Sequence, residues 1–241
     1  MKQSSRKVER EINLPEEEAV LEYKGIASLI GITYCLLADQ IYELTDNVEG
    51  IILDLGTGLG DLARELALRF LKAEIIGLDI SSEMLKQAEI LNQALNNLKF
   101  KLMDVHNLEF KDNSIDLITS HGSLHHWQDP KAVFKEIYRV LKPKGMALIA
   151  DLRRDAADEI VLEASAFLNP HQKAGFLNSI AASYLPEELE TLLLEAGVKD
   201  FKITEQKFSR KVIIKNLAKI RQGPQHSEKF NQLYFNLLIK K

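Results

Sequence analysis

One cysteine, Cys35, stands in the 241 residues of this chain, so no internal disulfide can form, and neither a thiolate metal cluster nor a CxxC redox pair exists. Cys35 lies in the apolar run from Ile26 to Leu37 and reads as a small buried filler. No stretch reaches the ~20 apolar residues that a membrane span needs. The opening MKQSSRKVEREINLPEEE is too polar for a secretory leader. These absences predict a cytoplasmic protein without a membrane partner. Net charge is also scarce: 31 Lys and Arg against 35 Asp and Glu leave -4, which argues against a protein that coats nucleic acid through its overall field. What is present is a hydrophobic fraction of 46%, enough to bury the core of one large domain and too high for a disordered chain.

The charge is unevenly spread. Gln206 to Lys241 holds nine basic residues against Glu228 alone, so this tail carries +8 and residues 1–205 carry -12. Within the tail, Phe230, Leu233, Tyr234, Leu237 and Leu238 recur at helical spacing. That spacing predicts an amphipathic helix over Glu228 to Lys240 that packs on the domain or on a second subunit, which would make a homodimer.

Through the middle of the chain, short apolar runs alternate with stretches of helical period, the pattern of βαβ units and a parallel sheet. Strands are expected at Ile51 to Asp54, Glu74 to Asp79, Phe100 to Met103, Ile115 to Thr119 and Met146 to Ala150. Helices are expected after Asp61, after Ser81 and Ser82, and from near Pro130 to just before Pro143. The rhythm breaks over Asp155 to Leu185, a helical insertion placed where it would lie over the carboxyl ends of the strands, as a lid does. Val198 to Thr204 and Val212 to Lys215 read as a closing antiparallel pair. No linker, repeat or low-complexity tract divides the chain. The expectation is one domain over 1–241, with a helical extension (1–48), a core (51–215), the lid (155–185) and a helical tail (216–241).

The first strand runs into Asp54-Leu55-Gly56-Thr57-Gly58-Leu59-Gly60, and a helix follows at once. Glycines in such a turn let a ligand lie against bare backbone. The spacing is G-x-G-x-G, not the G-x-G-x-x-G of dinucleotide sites, and no Gly-Lys-Ser or Gly-Lys-Thr of a P-loop follows. Asp54 and Asp61 flank the turn and would repel a pyrophosphate, so a cationic ligand suits it better. Asp79 ends the second strand, about 20 residues beyond the glycines, where an acid binds both hydroxyls of a ribose. Asp104 ends the third. Acids at three adjacent strand ends describe one pocket.

These residues, together with GLDIS at 77–81, MDVHNLEFKDNSIDLITSHGSLHHWQDP, EIYRVLKPKGMALIAD and YLPEELETLLLEAGV, resemble a class I S-adenosylmethionine-dependent methyltransferase of the small-molecule type. The similarity runs from about Ile51 to Ile214. Lys144 departs from it, standing where the family usually has a second glycine. The resemblance implies an α/β fold: a Rossmann-like three-layer sandwich around a mostly parallel seven-stranded sheet whose last strand is antiparallel. It implies that Gly56 and Gly58 pass along the methionine part of the cofactor, with Asp54 near its ammonium group and Thr57, Gly60 and Met84 lining the same site. Asp79 would bind the ribose and Ile80 pack on the adenine. Asp104 would accept from the adenine amino group, the Val105 amide would reach a ring nitrogen, and Ser120 and His121 would close the methionine end.

The transferable methyl is already activated, so the protein has to hold an acceptor in line and take up its proton where necessary. His121, His125 and His126 cluster after the fourth strand, where the acceptor must arrive. They either touch substrate or shape the loop. His121 and His125 stand at i, i+4, but no further ligands are identifiable, so no metal is expected. Trp127 reads as packing. Asp151 is a candidate base or orienting group. Arg153 and Arg154 either clamp an acidic acceptor or pair with Asp155 and Asp158. The leading expectation is methylation of a small molecule. RNA or protein methylation using the basic tail, and a non-catalytic module that only binds the cofactor, are the alternatives.

Overall fold

The computed structural model describes residues 5–7, 16–45, 47–166, 168–222 and 228–241. Part of the expected N-terminal helical extension, at 1–4 and 8–15, lies outside the described residues. The elements, in chain order, are α1 (Glu16–Thr45), β1 (Ile51–Leu55), α2 (Asp61–Ala67), β2 (Glu74–Asp79), α3 (Ser82–Asn92), β3 (Leu98–Leu102), β4 (Ile115–His121), α4 (Pro130–Val140), β5 (Leu141–Leu152), α5 (Asp158–Ser165), α6 (Pro170–Ala182), α7 (Pro186–Glu195), β6 (Phe201–Glu205), α8 (Arg210–Gln222) and β7 (Tyr234–Lys240). A 3-10 turn at Leu124–His126 follows β4.

The seven strands form one sheet in the order β3-β2-β1-β4-β5-β7-β6. Every pairing is parallel except those of β7, which runs antiparallel to both β5 and β6. The two neighbouring central strands, β1 and β4, are buried on both faces, as their largely apolar sequences require. One face packs Leu53, Ile118, Ala147, Phe235 and Leu237 against Phe134 and Ile137 of α4 and Leu189 and Leu193 of α7. The other packs Ile52, Leu117, Leu148 and Ala150 against α1, α2 and α8. The result is the three-layer sandwich, and the strand order reverses between β1 and β4, the switch point at which open α/β sheets bind ligands.

Local chemistry sets the helix starts. The Ser81 hydroxyl accepts from the Met84 amide at 3.2 Å, and the Asp129 carboxylate accepts from the Ala132 amide at 3.1 Å one residue before Pro130. The insertion is helical as expected, with α5 and α6 packing Ile160, Val161 and Ile180 onto Leu152 at the end of β5.

Two expectations are corrected. Val212 to Lys215 is not a strand: the Ser209 hydroxyl accepts from the Val212 amide and caps α8, which lays Val212 and Asn216, one turn apart, against α1. Nor do residues 216–241 form a helical tail, because Tyr234–Lys240 is the strand β7, inserted between β5 and β6. Phe235, Leu237 and Ile239 alternate into the sheet's core, and of the residues at helical spacing Leu233 and Leu237 are buried within the chain itself, while the side chain of Phe230 lies outside the described residues. No helix among the described residues is long and apolar enough to cross a membrane.

Candidate active site

The glycine turn after β1 is held from below by Asp54. Its carboxylate accepts from the Thr57 hydroxyl at 2.7 Å and from the Thr119 hydroxyl on β4 at 3.0 Å. Burial pushes this carboxyl up to about 7, and the two hydroxyls only partly offset that. A carboxyl so poorly compensated suits a nearby cation. Gly56 and Gly58 have φ of +64° and +53°; a Cβ at Gly56 would strike the Ser123 hydroxyl at 2.0 Å, and one at Gly58 would meet the Tyr23 ring at 3.2 Å. Gly60 serves packing, since its Cβ would meet Phe100 at 2.6 Å.

Asp79, at the end of β2, accepts from the Gly58 amide and from the Ser81 amide, both at 2.9 Å. Those two bonds fix the carboxylate at the rim of the turn and leave lone pairs for hydroxyl donors. Beside it, a cleft of about 310 Å³ is lined by Ile80, Leu102, Met103 and Asp104. Ile80 is 74% exposed, an unpacked apolar side chain at the mouth of the cleft. Asp104 is held in place by His106: the His106 amide donates to it at 2.9 Å and the ring Nδ1 lies 2.6 Å away, while the Asp129 amide donates to Nε2. The His106 amide first, and its ring second, hold the Asp104 carboxyl below the usual range. Val105 is buried in the core beneath, Met84 sits in the first turn of α3, and the Ser120 hydroxyl is spent on the Leu55 carbonyl at 2.9 Å. A desolvated acid, a bare turn, a rim carboxylate and a cleft lined by both apolar and polar side chains, Asn107 and Glu109 among the latter, therefore fit a ligand with a cationic end, a ribose and a flat base, which is the chemistry of S-adenosylmethionine.

At the ends of β4 and β5 the structure brings His125 and Asp151 together. The His125 ring Nδ1 lies 2.7 Å from the Asp151 carboxylate, which also accepts from the His125 amide at 3.0 Å. Burial alone would raise the Asp151 carboxyl, but the charge and hydrogen bond of His125 outweigh it and hold it below the usual range. His126 is exposed and stacks on His125 at 4.1 Å. His121 behaves differently: burial lowers its pKa to about 4, so at neutral pH it can share a hydrogen bond but resists taking up a proton.

Arg153 and Arg154 are spent on the protein's own acids. Arg153 makes a two-pronged pair with Asp155 at 2.7 and 2.8 Å and reaches Glu205, not Asp158. Arg154 donates to the Ser183 carbonyl and pairs with Glu188. The salt-bridge alternative thus fits these two residues better than the acidic-acceptor clamp. Trp127 packs as expected, its indole donating to Ser123.

Sequence reasoning missed three tyrosines. Tyr23 and Tyr34 on α1 share a hydroxyl contact at 3.2 Å, and Tyr34 meets the His121 ring edge-on at 5.0 Å. Tyr234, at the start of β7, lies 5.3 Å from the same ring. No local motif marks them, because they reach the site only through α1 and the last strand. Residue 6 was missed likewise: the Arg6 guanidinium lies over the Tyr184 ring at 4.1 Å and donates to the Ala182 and His125 carbonyls. Among the described residues no group of three or more His, Cys, Asp and Glu could hold a metal ion.

Comparison with known proteins agrees with this geometry. The methyltransferase-domain family profile matches residues 46–197. A demethylmenaquinone methyltransferase of Thermotoga maritima is 44% identical over 101 residues, 42% of this chain and 43% of that protein. One of Porphyromonas gingivalis is 31% identical over 166 residues, covering 62% of this chain and 68% of the other. The match spans about half the length of the first curated relatives, 43% and 49%. In structure, a chain described as a putative S-adenosyl-L-methionine-dependent methyltransferase of Methanococcus maripaludis aligns over 100% of this chain and 97% of its own, with a TM-score of 0.68 at 24% identity. The chain is a member of the methyltransferase-domain family and has the Rossmann-like fold of S-adenosylmethionine-dependent methyltransferases.

Proposed function

We propose that this protein transfers a methyl group from S-adenosylmethionine to a small-molecule acceptor by in-line displacement. The observation that carries this reading is the placement of the buried His125–Asp151 pair at the carboxyl ends of β4 and β5, beyond the glycine turn and next to the helical insertion. When bound, S-adenosylmethionine supplies an electrophilic methyl on a sulfonium. Asp54, Asp79 and Asp104 with the glycine turn orient the cofactor. Asp151 fixes the imidazole of His125 through Nδ1, which suits that ring to receive the proton the acceptor loses as it is methylated. His121, kept neutral, orients without taking up the proton.

Two features favour a small acceptor over RNA or protein. The basic tail is not a free arm, since Lys211 and Lys215 pair with Glu43 and Asp39 of α1 and its last residues are core strand. Relatives named for methylating demethylmenaquinone point the same way. The test is incubation with methyl-labelled S-adenosylmethionine and a cell extract divided into metabolites, RNA and protein. Label in a metabolite, absent with Asp79→Ala, is the expected result. Label confined to RNA or protein would overturn the reading.

A further inference from the structure

Three side chains with buried, unpartnered polar atoms share one face of the sheet beside the proposed transfer edge. His121 pairs in register with Ala150, Ala150 with Asn236, and Asn236 with Thr204, so these four positions form a row across β4, β5, β7 and β6. Two residues further along β5, toward its carboxyl end, Leu152 faces Tyr234, and the Gln206 amide donates to the Tyr234 carbonyl at 3.1 Å. Side chains directly opposite, and two apart, point to the same side of a sheet. His121, Asn236, Tyr234 and Gln206 thus share the side of the sheet on which Ala150 packs against α1 and α8.

On this face His121 Nε2, Asn236 Oδ1 and both side-chain amide atoms of Gln206 are buried and have no hydrogen-bond partner among the described residues. Gln206 is only 1% exposed and His121 8%. Buried polar groups in folded proteins are normally hydrogen-bonded, so four such atoms on one region of one sheet face point to a ligand that pairs with them. Burial lowers His121 and raises the Tyr34 and Tyr234 hydroxyls, so these three rings are uncharged near neutral pH, and the Asp151 and Asp61 carboxylates are among the charges that act on them.

We propose that His121, Asn236 and Gln206, grouped about Tyr234, form the acceptor subsite, and that it takes an uncharged group able both to donate and to accept hydrogen bonds: a carboxamide or a hydroxyl. The Gln206 amide offers one donor side and one acceptor, Asn236 Oδ1 accepts, and His121 Nε2 does either according to its tautomer. A carboxylate or phosphate would find no cation here. An ammonium group would lose its water against a neutral imidazole and an amide. This subsite rests on the reading of the β4–β5 edge as the acceptor's side.

The test uses the full chain saturated with S-adenosylhomocysteine, with benzamide, benzoate and benzylamine as probes in ligand-observed NMR. Benzamide is expected to show saturation transfer, and the two charged analogues at least fivefold less. Gln206→Met and, separately, Asn236→Leu should abolish the benzamide signal while S-adenosylhomocysteine still binds. Because an orphaned amide is removed, Gln206→Met should also raise Tm by roughly 2–4 °C. No discrimination among the probes, or a benzamide signal that survives both variants, overturns the subsite, as does a fall in Tm with Gln206→Met. Failure of S-adenosylhomocysteine to bind would instead overturn the methyltransferase reading beneath it.

Discussion

The carboxyl ends of β1, β2 and β3 are built from charge and backbone: Asp54, Asp79 and Asp104 each hold hydrogen bonds to groups no more than a few residues away or on the adjoining strand or turn. Beyond them, at β4, β5, β7 and β6, one face is aromatic and neutral, with Tyr34, His121, Tyr234 and Gln206, while the buried His125–Asp151 pair is set into the opposite face and Arg153 and Arg154 pair with acids past the end of β5. The first half suits one fixed ligand with a positive end. The second suits an interchangeable ligand, since its walls come from α1, the insertion and the last strand, elements that can vary without disturbing the glycine turn. The proposed division between a charged cofactor half and a neutral acceptor half rests on which strands carry which side chains.

The largest break should come from the buried His125–Asp151 pair. Asp151→Ala leaves the His125 ring buried without its partner and should cost roughly 3–5 kcal/mol of stability, read by urea unfolding at pH 7. The sign with pH follows from the depressed carboxyl: its contribution is present above its unfolded value, near pH 4, and is lost as pH falls below it. The wild-type advantage over Asp151→Ala should accordingly narrow in acid.

In the cofactor half, Asp79→Ala removes two charge-assisted hydrogen bonds to ribose hydroxyls and should weaken S-adenosylhomocysteine binding by about 100-fold in calorimetry. Tyr234→Phe, across the divide, should leave that affinity within about twofold.

A smaller effect concerns Asp54. Its folded pKa of about 7 lies above the ordinary value, so it favours the ligand-free fold below the unfolded value near pH 4 and loses that contribution as pH rises through 7. A cationic ligand pulls the proton off. Affinity for S-adenosylhomocysteine should therefore rise about tenfold from pH 6 to pH 8, with proton release visible as a buffer-dependent heat, and Asp54→Asn should flatten both. The smallest effect lies outside either half: Lys144 sits at φ +70°, a strained position for a residue with a Cβ, and Lys144→Gly should add about 1 kcal/mol of stability without altering ligand affinity.

The two halves also differ in how far they could be read from sequence. The proposed cofactor half lies in three short runs at 54–60, 79–84 and 104–105, each at a strand end with its own turn chemistry, so spacing pointed to its glycines and acids and the family resemblance supplied the rest. The proposed acceptor half draws on residues 23, 34, 121, 125, 151, 206, 234 and 236, which α1, the ends of β4 and β5, and the late pairing of β7 between β5 and β6 bring together from distant parts of the chain. The helical spacing in the tail misled because every residue of Tyr234–Ile239 except Asn236 is apolar, so a period of 3.6 and a period of two both fit. Sheet pairing decided it by burying Phe235, Leu237 and Ile239 together. In the same way Val212-Ile213-Ile214 has the composition of a strand, yet one serine cap and a partner face on α1 made it helix. For Arg153 and Arg154, sequence could state both alternatives but not the positions of Glu188 and Glu205, which sit 34 and 52 residues further on.

In the proposed arrangement one edge of the sheet holds S-adenosylmethionine on its charged half and presents the methyl to its neutral half. A crystal structure of the S-adenosylhomocysteine complex decides this: the ribose is expected on Asp79, the adenine in the cleft beside Ile80, and the sulfur beyond Gly58, facing His121, Tyr234 and the His125–Asp151 pair. A sulfur turned toward α3, away from β4 and β5, would rule the arrangement out.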